Sequence, residues 1–149
     1  MTGDVESDDS LAALYRQAVL THAAAPHGQG VAIEATHEAE GHNPLCGDRV
    51  VIRLQILPAD GLVKAAAFDG EACAICLASA SLLCQHLPGK AQGDLEAMID
   101  GFSAALVNGD HVIEKCPAFL QPMLGVRAYP ARIACATLPW RTAIDAITP

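Results

Sequence analysis

The chain has 149 residues, of which 17 are acidic and 9 basic, giving a formal net charge of −8 at neutral pH. This length fits one domain with a buried core, and the negative charge argues against a nucleic-acid partner because phosphate backbones repel it. No apolar run approaches the roughly 20 residues of a membrane span, and the acidic start lacks the pattern of a secretory signal. We therefore expect a cytoplasmic protein without a membrane partner, whose six cysteines are reduced and bind metal, react or are buried.

The first part of the chain is predicted to contain a tail, a helix and a strand. Residues 1–9 are interpreted as a disordered acidic tail, and residues 10–149 as a single domain. Ser10 is a candidate N-cap, and the apolar residues after it recur with a helical period until the helix breaker Pro26. Alternating apolar and polar residues then predict a strand over 31–38.

A short turn at 43–49, with the sequence N-P-L-C-G-D-R, carries a thiol and a carboxylate two positions apart. Pro44 fixes one backbone angle and Gly47 allows angles that other residues avoid, so Cys46 and Asp48 can point to the same side of a tight bend. Two such ligands on one turn would make half of a metal site. An ordinary turn, in which Asp48 caps its own backbone and Cys46 is buried, explains the same residues.

The sheet continues after this turn. Apolar residues alternate with polar ones over 52–56, and the reversal P-A-D-G at 58–61 leads into a further strand-like run over 62–68. Together with the strand predicted at 31–38, these runs indicate a three-stranded antiparallel meander.

The rest of the chain is predicted to be helical. One helix opens at Cys73, a second follows the candidate cap Asp94, a shorter segment covers 117–124, and a last helix runs over about 132–147. Pro139 cannot donate to the carbonyl of Cys135 and is tolerated only near a helix start, so Cys135 should lie in or just before the first turn. There, backbone N–H groups and the helix dipole favour a thiolate. The predicted fold is α+β, with helices packed on one face of a three-stranded antiparallel sheet.

Three cysteines are thus predicted at the ends of secondary-structure elements. Cys46, Cys73 and Cys135, with Asp48, would offer zinc a tetrahedral set of three sulfur atoms and one oxygen. From periodicity alone, however, Cys73 and Cys135 are better explained as small apolar residues among alanine and serine.

The other three cysteines are weaker candidates for residues of a functional site. Cys76 forms a C-x-x-C with Cys73, which is weak evidence for redox chemistry outside a βαβ context, but it could face the site as a spare thiol. Cys84 would lie about 16 Å farther along the helix axis, too far to share a metal with Cys73. Cys116 precedes a proline in a predicted loop and is either a reactive surface thiol or, more commonly for such a position, a semi-buried one.

The six histidines do not form a recognisable metal motif, and no Walker loop, G-x-S-x-G or H-E-x-x-H is present. His42, four residues before Cys46, is the best histidine candidate for a ligand. His22 and His37 lie on apolar stripes and are expected to be hydrogen-bonded core residues.

Three motifs taken in order resemble the IscU/SufU proteins of iron–sulfur cluster assembly, the NifU N-terminal-domain family. They are the heptad at 43–49, the run G-E-A-C-A-I at 70–75 continued by A-S-A-S at 78–81, and the stretch P-A-R-I-A-C-A-T-L-P-W at 130–140. The likeness covers about residues 10–147. It implies an IscU/SufU-like fold, and it favours a function for the three motif cysteines over a role as buried filler.

Within that family the chain is more similar to the SufU type. The long interval between Cys73 and Cys135 leaves room for the extra helical segment of SufU-type members, here around 89–114. The chaperone-binding L-P-P-V-K of the IscU type is absent, and Ala134 replaces the histidine of that type and the lysine of the SufU type. Alanine cannot ligate a metal.

The resemblance implies roles for particular residues. Cys46, Asp48, Cys73 and Cys135 would hold zinc, and Cys46 would accept persulfide sulfur from a cysteine desulfurase. Arg132 matches the family's arginine near the site, where a fixed positive charge favours thiolates. Cys76 stands where a serine is usual, which makes it an auxiliary candidate beside the site.

Three functions follow from these residues. The first is a zinc-dependent sulfurtransferase that serves a cysteine desulfurase. The second is a scaffold that assembles a [2Fe–2S] cluster on the same four residues and transfers it to downstream scaffold or carrier proteins, since thiolates suit iron as well as zinc. The third is a structural zinc module without transfer activity. The residues alone leave open whether the protein is an enzyme.

Overall fold

The structure, a computed structural model, describes residues 3–108 and 113–149. Its helices and strands are, in chain order, α1 (Gly3–Ala24), β1 (His37–Asn43), β2 (Asp48–Ile56), β3 (Val63–Glu71), α2 (Ala74–His86), α3 (Leu95–Asn108) and α4 (Ile133–Ile147). Shorter 3-10 helices occur at Gln92–Asp94, Ala118–Ala128 and Pro130–Arg132.

The three strands form one antiparallel sheet in the order β1-β2-β3, which confirms the predicted meander. One face of the central strand β2 is buried, with at most 5% of each side chain exposed: Val50, Ile52, Leu54 and Ile56. The opposite face of the sheet carries ion pairs of Arg49 with Glu40 and of Arg53 with Glu38 and Asp69. Because α2 and α4 pack against the sheet and this opposite face remains polar, the predicted α+β fold with helices on one face is confirmed.

The first strand was predicted too early in the chain. Residues 31–35 form no regular element, and β1 runs over His37–Asn43 instead of 31–38. The register explains the difference, because His37 lies opposite Leu54 and β2 ends two residues later at Ile56. Residues 31–34 of the predicted strand would therefore lie opposite 57–60, beyond the end of β2, where the chain already turns. Alternation alone cannot detect that a partner strand has ended.

Helix α1 also differs from its prediction, since it begins at Gly3 and not after Ser10. Residues 1 and 2 of the predicted tail lie outside the described residues, and the division into tail and domain stays a prediction. The extra segment predicted at 89–114 contains α3, while its residues 109–112 are likewise outside the described ranges.

Helix α4 lies directly on β1 and β2. At Gly41 of β1 the approach is so close that a Cβ atom there would lie 2.0 Å from Thr142 Oγ1, so only glycine fits. Pro139 is accommodated inside α4, and Cys135 lies in the first turn of that helix as the proline argument predicted. The packing of α4 therefore brings Cys135 to the sheet.

The main core lies between the sheet and the helices. Its largest side chains with under 2% exposure are Trp140, Phe68, Phe102, Ile52, Leu54, Leu83, Leu87, Leu95, Leu120, Met123 and Leu124. Within the described ranges, no helix is long and apolar enough to cross a membrane.

A histidine joins α1 to α2. His22 Nδ1 lies 2.7 Å from the Ser81 hydroxyl, which also accepts the backbone N–H of His27 at 2.9 Å. This contact agrees with the expected hydrogen-bonded role of His22. Burial, followed by the charges of His27 and His86, lowers the pKa of His22 below its usual 6.5.

This lowered pKa predicts that the protein loses stability in mild acid. The unfolded chain binds a proton at His22 more readily than the folded chain, so the contribution of neutral His22 is complete above pH 6.5 and is lost as the pH falls through the folded-state pKa. Urea unfolding at pH values of about 7.5 and 5.5 should show a smaller pH-dependent loss for His22→Gln than for the wild type. An equal loss in both proteins would contradict the role of His22.

Candidate metal centre

The first part of the candidate site is the hairpin turn between β1 and β2. Asn43 lies opposite Asp48 at the end of the ladder, the Cys46 N–H donates to the Asn43 carbonyl at 3.2 Å, and Gly47 has a φ of 71°. Leu45 is 94% exposed, whereas Cys46 is half-buried and Asp48 only 2% exposed. The turn thus directs Asp48 inward and leaves Cys46 near the surface.

Cys73 comes from the junction of β3 and α2. It is the N-cap of α2, as its predicted place at a helix start requires, and its backbone N–H donates to Asp48 Oδ1 at 2.8 Å. The Cys73 Sγ atom lies 3.9 Å from Asp48 Oδ2. Asp48 therefore links the hairpin turn to the start of α2.

Cys135 comes from the start of α4 and is fully buried. The side-chain amide of Asn43 donates to its Sγ atom at 3.4 Å. This contact was not predicted, although Asn43 begins the heptad that pointed to the site. It ties the hairpin turn to a residue far along the chain.

These elements bring the donor atoms together. One donor atom each from Cys46, Asp48 and Cys135 lies within 4.8 Å of the other two. Zinc–sulfur bonds of about 2.3 Å separate the sulfur atoms of a tetrahedral site by roughly 3.8 Å, so the observed spacing suits a bound ion. Cys73 adjoins this group through Asp48.

The electrostatics of the site also favour a cation. Burial, together with hydrogen bonds to Asp48, Cys46 and Cys73, raises the pKa of Cys135 well above the usual range of a thiol. A divalent cation would reverse this effect, because it stabilises the thiolate that it binds. The residues present therefore fit a soft divalent metal such as zinc.

Arg132 lies at the edge of the site and is exposed. A hydrogen bond to Cys135 and the charges of Cys46 and Cys73 raise the pKa of its guanidinium. The auxiliary role of Arg132 stays a prediction.

Of the remaining three cysteines, one lies beside the site and two lie away from it. Cys76 is fully buried, and its pKa is raised first by burial and then by the charges of Asp48, Cys73 and Cys46. Burial alone raises the pKa of Cys84 to about 12 and that of Cys116 to about 11. Cys84 is a core residue as expected, and Cys116 is buried instead of presenting a surface thiol.

The best histidine candidate does not join the group. His42 Nε2 lies 2.8 Å from Glu40 Oε2, and the His42 side chain is 57% exposed, on the polar face of the sheet. A one-residue alternation explains this placement, because neighbouring residues of a strand point to opposite faces. Asn43, the next residue, faces the site instead.

A groove beside the site was also not predicted. Tyr15 of α1 stacks with Tyr129, their ring centroids 6.2 Å apart, and both line a groove of about 380 Å³ that also reaches Cys73 and Arg132. Only the helical period of α1 pointed to Tyr15, and nothing in the sequence pairs it with Tyr129.

The chain was compared with protein families and with known proteins. The family model described as NifU-like N terminal domain matches residues 14–116. The "Zinc-dependent sulfurtransferase SufU" of Bacillus subtilis (strain 168) is 34% identical over 133 residues, covering 89% of this chain and 88% of that protein. The "Iron-sulfur cluster assembly scaffold protein IscU" of Thermotoga maritima is 31% identical over 134 residues, covering 90% of this chain and 92% of that protein.

A solved structure gives the same result. The crystal structure of a nitrogen-fixing NifU-like protein (N-terminal) from Brucella abortus superposes with a TM-score of 0.78 at 29% identity, covering 90% of this chain and 92% of that one. These comparisons confirm the resemblance drawn from the three cysteine motifs. The chain belongs to the NifU-like N-terminal domain family, together with the SufU and IscU proteins of iron–sulfur cluster assembly.

Proposed function

We propose that this chain is a zinc-dependent sulfurtransferase, in which Cys46, Asp48, Cys73 and Cys135 hold zinc and Cys46 accepts sulfur from a cysteine desulfurase. The observation that carries the proposal is the approach of Cys46, Asp48 and Cys135 to within 4.8 Å. The neighbouring Leu45 is 94% exposed, so the turn that carries Cys46 is open to a partner protein.

Each donor suits this chemistry. Zinc, when bound, would keep the thiols deprotonated at neutral pH and so ready to react. Asp48 is a harder and weaker ligand for zinc than a thiolate, which leaves an exchangeable position in the site. Ala134, next to Cys135, adds no further donor.

The exposure of its turn supports Cys46 as the residue that would carry out the transfer step. It is the half-buried thiol on the open turn, whereas Cys135 is fully buried. Its thiolate would attack the outer sulfur of a cysteine persulfide on the desulfurase. A bond forms between Cys46 Sγ and that sulfur, the sulfur–sulfur bond of the donor breaks, and the desulfurase cysteine leaves as a thiolate. The outcome is a persulfide on Cys46.

The Bacillus subtilis relative supports this assignment by its name, zinc-dependent sulfurtransferase, at 34% identity over most of both chains. A second function is favoured by the relatives named as scaffolds, at 31% identity. In that case the same four residues would assemble a [2Fe–2S] cluster and pass it to carrier proteins, since three thiolates and a carboxylate also suit iron.

Metal analysis of protein purified without oxygen tests the two functions. We expect one zinc per chain and no visible colour, because zinc has no d–d transitions. Iron with acid-labile sulfide and a visible absorption band would contradict the zinc assignment and support the scaffold. If zinc is found, stimulation of a cysteine desulfurase then separates the sulfurtransferase from a purely structural zinc module.

A further inference from the structure

One asparagine adjoins the candidate metal centre from the end of β1. Asn43 is the last residue of that strand and is only 6% exposed. Its backbone carbonyl accepts the N–H of Cys46 at 3.2 Å, and it lies opposite Asp48 in the ladder. Its side-chain amide donates to Cys135 Sγ at 3.4 Å. Asn43 therefore adjoins all three residues whose donor atoms lie within 4.8 Å of one another.

The fold directs the Asn43 side chain toward α4. Residues two apart in a strand point to the same face of the sheet, so Asn43 shares its face with Gly41. At Gly41 the helix α4 comes close to β1, since a Cβ atom there would meet Thr142. Cys135 lies in the first turn of the same helix. The packing of α4 on β1 therefore brings the Cys135 sulfur to the Asn43 amide.

The turn itself does not need the Asn43 side chain. The bond that closes the turn uses the backbone carbonyl of Asn43, which any residue supplies. The amide instead has the Cys135 sulfur as its acceptor. The sulfur of a neutral thiol accepts hydrogen bonds weakly, and burying an amide with a weak partner costs free energy. A metal-bound sulfur carries negative charge, and hydrogen bonds to charged acceptors are roughly twice as strong as neutral ones. The contact therefore suits a metal-bound site better than a site of free thiols.

We propose that Asn43 is the positioning residue of the candidate metal centre. Its backbone carbonyl holds the turn that carries Cys46, and its side-chain amide holds the sulfur of Cys135 within reach of Cys46 and Asp48. The inference rests on the proposed function, in which these three residues are ligands. Asn43 acts through the ligands and does not bind the metal itself. Groups that hydrogen-bond to metal ligands orient them and tune the metal, and their loss typically costs about 10–100-fold in affinity.

The variant Asn43→Leu tests this role. Leucine is close to asparagine in size and keeps the backbone carbonyl, but it removes the amide that donates to Cys135. We expect Asn43→Leu to bind zinc about 10–100-fold more weakly than the wild type, as measured by competition with a chromophoric chelator. A loss of affinity of less than about tenfold would overturn the proposal.

Cobalt in place of zinc gives a readout that a purely structural role would not change. A hydrogen bond to a thiolate sulfur withdraws electron density from it and raises the energy of its charge-transfer absorption to the metal. Asn43→Leu should therefore shift the sulfur-to-cobalt band to longer wavelength. A band at the wild-type wavelength would contradict the proposed hydrogen bond and overturn the role of Asn43.

The matched control is Thr142→Val. Thr142 is 1% exposed and donates to the Leu138 carbonyl at 2.7 Å, at the close approach of α4 to Gly41. It lies about 10 Å along the helix axis from Cys135. Thr142→Val removes a buried polar group from the same packing contact and should leave the zinc affinity and the cobalt band unchanged. An equal loss of affinity in both variants would assign the effect to the packing of α4 and refute the role of Asn43.

A measurement on the wild type does not depend on the folding of any variant. The protein is loaded with a magnetic isotope of cadmium in place of zinc, and the side-chain amide protons of Asn43 are observed by NMR. Coupling between one of these protons and cadmium, transmitted through the Cys135 sulfur, is expected. Absence of this coupling would overturn the proposal.

These experiments separate the role of Asn43 from the proposed function. If the wild type binds zinc and Asn43→Leu binds it equally well, only the role of Asn43 is refuted. If the zinc, cobalt and cadmium results are as expected but the wild type does not stimulate a cysteine desulfurase, the transfer function is refuted and the role of Asn43 stands.

Discussion

Replacing Cys46 by alanine should abolish stimulation of a cysteine desulfurase. The thiol is the only nucleophile on the exposed part of the hairpin turn, and alanine removes the atom that would form the new sulfur–sulfur bond. The stimulated rate should fall to that of the desulfurase alone, which is a complete loss of stimulation. The fold should persist because Cys46 is half-buried on a turn and contributes little to the core.

The measurement is sulfide or alanine production by a cognate desulfurase with and without each variant. Cys116→Ala is a matched control, because it removes a buried thiol outside the site. Full stimulation by Cys46→Ala would exclude this residue as the acceptor. Loss of stimulation in both variants would point instead to damage to the fold, which circular dichroism would detect.

Replacing Trp140 by alanine should cost about 3–5 kcal/mol of unfolding free energy, which is a large part of the roughly 5–15 kcal/mol available to a domain. Trp140 is 1% exposed and packs on Phe119, with ring centroids 5.9 Å apart. Phe119 in turn stacks on His86 at 4.3 Å, so the indole joins α4 to the 3-10 segment and to the end of α2. Because α4 also carries Cys135, metal affinity should fall together with stability.

Trp140→Phe is the informative comparison. In the part of the chain that the structure describes, the buried indole N–H of Trp140 has no hydrogen-bond acceptor, and phenylalanine removes that donor while keeping an aromatic contact. Urea unfolding should therefore show a much smaller loss for Trp140→Phe than for Trp140→Ala. If the alanine variant loses less than about 1 kcal/mol of unfolding free energy, Trp140 does not make the large contribution to stability that is expected here.

The sequence predicted the sheet well, but not all of its boundaries. The strands that follow the heptad were located by alternation, and the reversal before Leu62 was marked by proline and glycine. The first strand was misplaced because residues 31–34 alternate as a strand would, yet β2 has already ended at the positions opposite them. A local pattern indicates that a segment can form a strand. Whether that strand pairs depends on where the neighbouring strand ends.

For the candidate site, too, the sequence predicted local features but not their tertiary contacts. The element ends that carry Cys46, Cys73 and Cys135 followed from a turn motif, a helix start and the constraint of Pro139, which are all local. Periodicity could not distinguish these thiols from buried fillers, and only the family resemblance favoured a function. Their role as ligands stays a prediction.

By itself, then, the sequence determined the turn that presents Cys46 and Asp48, the helix starts at Cys73 and Cys135, and the family. Only the tertiary structure decided which side chains meet. The Asn43 amide reaches Cys135, and His42 beside it turns to the solvent face. The physical reason is that backbone angles and hydrophobic periods act over a few residues, whereas these contacts depend on how α4 packs on the sheet. Glycine at position 41 permits that packing, because a Cβ atom there would collide with the helix.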